Sequence, residues 1–165
     1  MAQPVIHTIE PIFNEYSKIL ILGTMPSPKS REVGFYYSHP QNRFWKTMAE
    51  IMGTELPATV DDKRELLYSH GIALWDVLAS CSIAGADDSS VKDVKVNDFT
   101  QLFTTAQIRA VFTTGKKATA LFKKHCQQKY GYEPIYLPST SPANCKMSQQ
   151  ELTAAYEIIL PIIQK

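Results

Sequence analysis

Lys18-Ile19-Leu20-Ile21-Leu22-Gly23 is the stretch on which the fold turns. Four apolar residues follow one another without alternation, and Gly23, Pro26 and Pro28 then punctuate the chain. A run this short is strand-sized, and the absence of alternation means that both faces of the strand are buried, as in a parallel sheet covered by helices. Working outward, Ile72–Val77, Ile108–Thr113 and Pro134–Leu137 read as further strands. Between them lie helix-like segments. Gln41–Met52 spaces Phe44, Trp45, Met48, Ile51 and Met52 along one face. Asp61–Ser69 opens on an N-cap candidate, as does Asn97–Ala106, and a helix follows Gly115 to about Gln128. Ser148 and Glu151 have the spacing of a capping box at the head of a last helix, Ser148–Ile163. The pattern predicts one α/β domain over residues 1–165. Its architecture is a three-layer sandwich with a central, mostly parallel sheet of about four strands flanked by helices. Sites in such sheets lie at the carboxyl ends of the strands, which selects three loops: Thr24–Arg43, Leu78–Val96 and Ser139–Ser148.

The chain has 165 residues, 44% hydrophobic, 20% charged and 10% aromatic, which excludes a disordered tail, a collagen or a coiled-coil rod. No apolar run approaches the ~18–20 residues that span a bilayer, and no signal peptide is visible, so a membrane partner is not expected. Three cysteines without a Cys-x-x-Cys suit a reducing cytoplasm. Charge is balanced overall at +1 but unevenly placed. Residues 51–100 carry four basic and nine acidic groups, whereas residues 101–165 carry eight basic and three acidic ones. A polyanion partner requires the fold to gather the C-terminal lysines on one face; a merely solvated surface is the plainer alternative.

Nucleotide-binding signatures are missing. There is no Gly-x-Gly-x-x-Gly, and Gly115-Lys116 lacks both the first glycine and the Ser or Thr of a phosphate loop. The His and Cys residues have no ligand spacing, so neither a metal nor a cofactor is expected. The unusual segment is the long connection after the first strand. It holds Gly23-Thr24-Met25-Pro26-Ser27, then three consecutive aromatics, Phe35, Tyr36 and Tyr37, and the polar run His39-Pro40-Gln41-Asn42-Arg43. Ordinary connections run to about 4–6 residues. Two readings stand side by side: a lid whose aromatics are packing, or a pocket that stacks a planar ring and hydrogen-bonds its edges.

This segment resembles the uracil-DNA glycosylase superfamily, most closely its hypoxanthine-DNA (deoxyinosine) glycosylase family. That family's pattern is Gly-Ser-Met-Pro-Gly, a gap, then Tyr-Tyr-x-His-Pro-x-Asn-x-Phe-Trp. Here Gly23 to Ser27 and Tyr36 to Trp45 stand in those places. The resemblance continues through Leu74-Trp75-Asp76-Val77-Leu78, Asn97-Asp98-Phe99 and Gly115-Lys116-Lys117-Ala118, and ends at Leu137 to Asn144. Thr24 for Ser, Ser27 for Gly, and Gly85-Ala86-Asp87-Asp88-Ser89-Ser90 for Gly-Ser-Leu-Asp-Ser depart from the pattern. Mismatch-specific uracil/thymine DNA glycosylases share His-Pro-x-Asn-Arg-Phe-Trp-Lys, present as His39 to Lys46, but carry a water-positioning Asn where this chain has Met25.

The resemblance implies a monofunctional DNA glycosylase, a hydrolase of N-glycosidic bonds acting on deaminated bases in DNA repair, hypoxanthine first. It implies Asn42 as the catalytic residue, since Met25 cannot orient water. Breaking a purine–deoxyribose bond passes through an oxocarbenium-like sugar, and the water then needs orientation more than deprotonation. An N-cap of the next helix is the structural alternative for Asn42, and both roles can coexist. The target nucleotide must leave the stack, with Tyr37 expected to stack on it and Tyr36 expected in the core. Gly23, Thr24, Met25, His39 and Ser139 complete the expected base pocket, His39 reading equally well as a loop brace. Lys116, Ser141, Asn144 and Lys146 are expected on the DNA backbone. A monomer is expected. The competing functions are a mismatch-type uracil glycosylase and a non-catalytic module that binds nucleic acid or a free nucleobase.

Overall fold

The computed structural model describes residues 2–164. Its centre is a parallel four-stranded sheet built from β2 (Ile19–Gly23), β3 (Ile72–Asp76), β6 (Ala110–Thr114) and β7 (Ile135–Leu137), in the order β3-β2-β6-β7. Strand β2 pairs in register on both sides, Ile21 lying opposite Leu74 and Phe112. Its five residues are all buried because each face meets a separate apolar cluster. Ile19 and Ile21 point to one face, against α2 (Phe44–Met52), α3 (Val60–Ser69) and α7 (Gln149–Tyr156). Leu20 and Leu22 point to the other, against α4 (Thr100–Thr105) and α5 (Lys116–His125). This is the expected three-layer sandwich, and the alternation of side chains across a strand is its cause.

Leu78–Val96, expected as a loop, is instead a hairpin of β4 (Leu78–Ala84) and β5 (Asp87–Val96). Cys81 and Ile83 are buried while Ser80 and Ser82 are half exposed, the imprint of a strand with one wet face. Gly85, at φ 59°, turns the hairpin between Ala84 and Asp87. An unanticipated strand, β1 (Gln3–Ile6), adds antiparallel to β4 and completes a second sheet, β1-β4-β5.

The connection Thr24–Arg43 contains a short helix, α1 (Pro28–Val33). Ser27 caps it by accepting from the Ser30 N–H at 3.2 Å, and Pro28 supplies the preset φ of a first helical position. Thr59 rather than Asp61 caps α3, leaving Asp61 and Asp62 in its first turn, where the helix dipole favours them. Asn97 caps nothing; its amide donates to the carbonyls of Asp76 and Leu78 and ties β3 to β4. The Ser148–Glu151 capping box forms as expected, but the last helix breaks. A 3₁₀ turn, Glu157–Ile159, precedes α8 (Leu160–Ile163), because Pro161 has no N–H to continue the ladder. The short α6 (Gln127–Tyr130) closes the element list.

Candidate active site

The carboxyl ends of β2, β3, β6 and β7 open into one cavity of about 1060 Å³, at the upper end of ligand-pocket volumes. Two of the three loops selected from the sequence border it, and the tip of the β4–β5 hairpin supplies the third wall. Gly23, Thr24 and Met25 line it from the end of β2, Tyr37, His39 and Asn42 from the connection to α2, and Ser139, Ser141 and Asn144 from the connection after β7. Lys116, exposed at the first position of α5, also reaches the rim. Of the expected site residues only Lys146 stays outside the lining, exposed farther along its loop.

Tyr37 is held in an uncommon state. Its φ is 53°, the left-handed region that a bulky residue enters only when its surroundings impose it. Its ring stacks on Phe44 at 4.1 Å between centroids and 14° between planes. A base stacked on Tyr37 must therefore take the other face. The phenol is turned inward, buried without a well-aligned hydrogen-bond partner among the described residues. Burial, and after it the Asp76 carboxylate, pushes its ionisation well up, so the hydroxyl keeps its proton. Tyr36 is core, as expected: it is 2% exposed and its hydroxyl donates to the Glu10 carbonyl at 2.8 Å.

Asn42 stands one residue before the N-cap of α2, which is Arg43, and is therefore not itself the N-cap. Its Oδ1 accepts from the Phe44 N–H at 2.9 Å, an Asx turn that leads into α2. One lone pair of that oxygen and both N–H donors of the amide have no protein partner among the described residues, and the residue is half buried on the cavity wall. His39 braces the turn: its Nδ1 accepts from the Gln41 N–H at 3.1 Å, which places the proton of a neutral ring on Nε2.

Four residues not assigned a role from the sequence complete the site. Arg43 donates to the carbonyls of Met147 (2.8 Å) and Asn144 (2.9 Å), stapling the loop after β7 to the head of α2. Inside that loop the Asn144 amide donates to the Ser139 carbonyl, and the Ser139 hydroxyl accepts from the Ser141 N–H. Asp76, at the carboxyl end of β3, is 4% exposed on the cavity wall, with Oδ2 at 2.8 Å from Nε2 of His7. Asp88, on the hairpin, takes a 3.5 Å hydrogen bond from the Thr24 hydroxyl, and burial raises its carboxyl above the usual range. Asp76 was signalled by its end-of-strand position and by its place in the matched stretch Leu74–Leu78. His7 gave no signal, since its partner lies 69 residues away.

The model of the uracil DNA glycosylase superfamily matches residues 10–160. The chain belongs to this superfamily. It is thus a DNA glycosylase fold with the parallel sheet, the cavity and the His39–Trp45 motif in their places. The superfamily relatives include the hypoxanthine DNA glycosylase of Methanosarcina acetivorans, 34% identical over 140 residues that cover 84% of this chain and 87% of the relative. That of Methanosarcina barkeri is 34% identical over 136 residues, covering 81% and 85%. A solution NMR structure from Methanosarcina acetivorans, assigned as a uracil DNA glycosylase, superposes with a TM-score of 0.78 at 30% identity, over 93% of this chain and 98% of that one. Among the described residues no helix is long and apolar enough to cross a membrane, and no group of three or more His, Cys, Asp or Glu residues could hold a metal ion.

Proposed function

We propose that this superfamily member releases hypoxanthine from deoxyinosine in DNA, acting as a cytoplasmic monomer without metal or cofactor. The placement of Asn42 supports the reading most directly. Its amide is anchored by one oxygen lone pair and free elsewhere, on the wall of a cavity whose other water-orienting position is filled by Met25. The flipped nucleotide enters between the loops after β2 and β7, and Tyr37 stacks on the base with the face that Phe44 leaves open. As the glycosidic bond lengthens, the electrons of the bond pass to the purine and positive charge gathers on the sugar. A water held by the Asn42 amide then attacks the anomeric carbon, and the proton it sheds passes through solvent to the departing purine anion, so that the products are the neutral base and an abasic sugar. The two Methanosarcina relatives that carry the hypoxanthine name match 84% and 81% of this chain.

Duplex oligonucleotides carrying hypoxanthine, uracil or xanthine at one position test the substrate. Hypoxanthine release is expected to lead, visible as strand cleavage only after alkali. Faster uracil release would transfer the assignment to the mismatch-type reading, and binding without release of any base would leave a binding module.

Lys116 and Lys146 are assigned to phosphates. With a net charge of +1, the protein is expected to make few such contacts, so log K should fall against log salt with a slope of about −2 to −4. Lys116→Ala and Lys146→Ala should each weaken damaged and undamaged duplex alike and flatten the slope by ~1. A change in which base is excised would remove that lysine from the backbone-contact set.

A further inference from the structure

Asn42 is not held by its neighbours alone. Two of its restraints are local: its N–H donates to the His39 carbonyl at 2.9 Å, and its Oδ1 accepts from the Phe44 N–H. The third comes from the loop after β7. The peptide group that joins Asn42 to Arg43 donates its N–H to the Thr140 carbonyl at 3.1 Å. That peptide is planar, so holding its N–H restrains the ψ torsion of Asn42 that precedes it. Thr140 is 1% exposed, so this tie lies inside the protein.

The Arg43 side chain then reaches the same loop twice more. Its Nη1 donates to the Met147 carbonyl at 2.8 Å and its Nη2 to the Asn144 carbonyl at 2.9 Å, 104 and 101 residues away along the chain. Asn144 in turn gathers the start of the loop, its Nδ2 donating to the Ser139 carbonyl and its N–H to the Ser141 carbonyl, each at 2.9 Å. Among the described residues no carboxylate forms an ion pair with Arg43. Its half-buried guanidinium is committed to backbone carbonyls of one loop, through a two-pronged geometry that an ammonium lacks.

We propose that Arg43 is a positioning residue for base release: it ties the Asn42 amide to the loop Ser139–Ser148, so that the seating of this loop on DNA and the orientation of the attacking water are set together; this rests on the glycosylase reading with Asn42 as its water-orienting residue. Residue 43 is bonded to the loop near its start, at Thr140, and toward its end, at Asn144 and Met147. The loop and the head of α2 therefore move as one body. A displacement of about 1 Å at a reacting centre costs up to ~10²-fold in rate. A strand that seats the loop badly carries the amide off the line of attack, and bond cleavage waits for correct seating.

Single-turnover release from a hypoxanthine duplex, with duplex Kd measured alongside, tests this in wild type, Arg43→Lys, Asn42→Ala and the double variant. Lysine keeps the charge but has one nitrogen in place of the two that reach separate carbonyls. Arg43→Lys should slow release by ~10–100-fold, with a much smaller change in Kd. Once Asn42 is alanine there is no amide to position, so adding Arg43→Lys to Asn42→Ala should slow release no further. Equal losses from Arg43→Lys in both backgrounds overturn the proposal, as does a wild-type rate in Arg43→Lys. Wild-type protein supplies a reading that needs no folded variant. In residue-resolved hydrogen exchange, undamaged duplex should raise the protection of the Arg43 and Phe44 N–H groups together with that of Ser141 and Asn144. Protection gained by Ser141 and Asn144 with none at Arg43 and Phe44 overturns the coupling. If wild type releases no base from any lesion duplex, the glycosylase reading fails, while exchange on uncleaved DNA still decides whether loop and amide are coupled.

Discussion

Asn42→Ala should lose ~10²–10³ of the rate of base release while still binding DNA, the loss typical of removing one oriented dipole from a reacting centre. The same change also removes the acceptor for the Phe44 N–H, a hydrogen bond worth about 1 kcal/mol of stability. Activity and stability must therefore be separated. Asn42→Ser does so, since a serine hydroxyl can take over that hydrogen bond but has no amide to hold a water. The serine variant should melt near wild type and remain as slow as the alanine variant in single-turnover release. Recovery of activity in Asn42→Ser would reduce Asn42 to a turn residue. Met25→Asn is the companion: if it raises uracil release, the water position used by mismatch-type relatives persists beneath the methionine.

Gly23→Ala should damage both the fold and the site. The added Cβ would sit 2.6 Å from Oδ1 of Asp76 and 3.3 Å from the Tyr37 hydroxyl. Neither group can retreat easily: the carboxylate is held by His7, and the tyrosine ring is held by Phe44. Overpacking of this kind costs about 1–3 kcal/mol. For a chain of this length that corresponds to a fall of roughly 2–10 °C in Tm. Base release should fall by more than the unfolded fraction explains, because the walls that face the base have moved. A variant with wild-type Tm and wild-type release would show that the end of β2 yields more readily than its contacts indicate. Gly34→Ala, where nothing lies within 4 Å of the added carbon, should leave release unchanged, its cost arising only from the positive φ.

Asp76 and Asp88 face the cavity from different sheets. The charge of Asp76 adds to burial in holding the Tyr36 and Tyr37 phenols protonated. The cavity near Gly23 is therefore acidic in character, in contrast to the lysines of α5 at its rim.

The sequence alone determined the architecture and one half of the site. Four apolar residues in succession at Ile19–Leu22 are only stable between two layers, so the sandwich could be read from local pattern. Tyr37, His39 and Asn42 could be named because they lie in one contiguous motif, and all three line the cavity. The hairpin β4–β5 was also written locally, in the alternation of Ala79–Ile83, but the end-of-strand rule treated the segment as a loop. What only the tertiary structure decided are contacts that leave no periodic trace. His7 reaches Asp76 across 69 residues because β1 pairs with β4, and Arg43 reaches Asn144 across 101 because α2 and the loop after β7 share one sheet edge. Local sequence specifies which faces are apolar. Which polar groups meet is decided by how the buried faces close, since a buried charge must find a partner wherever packing delivers one.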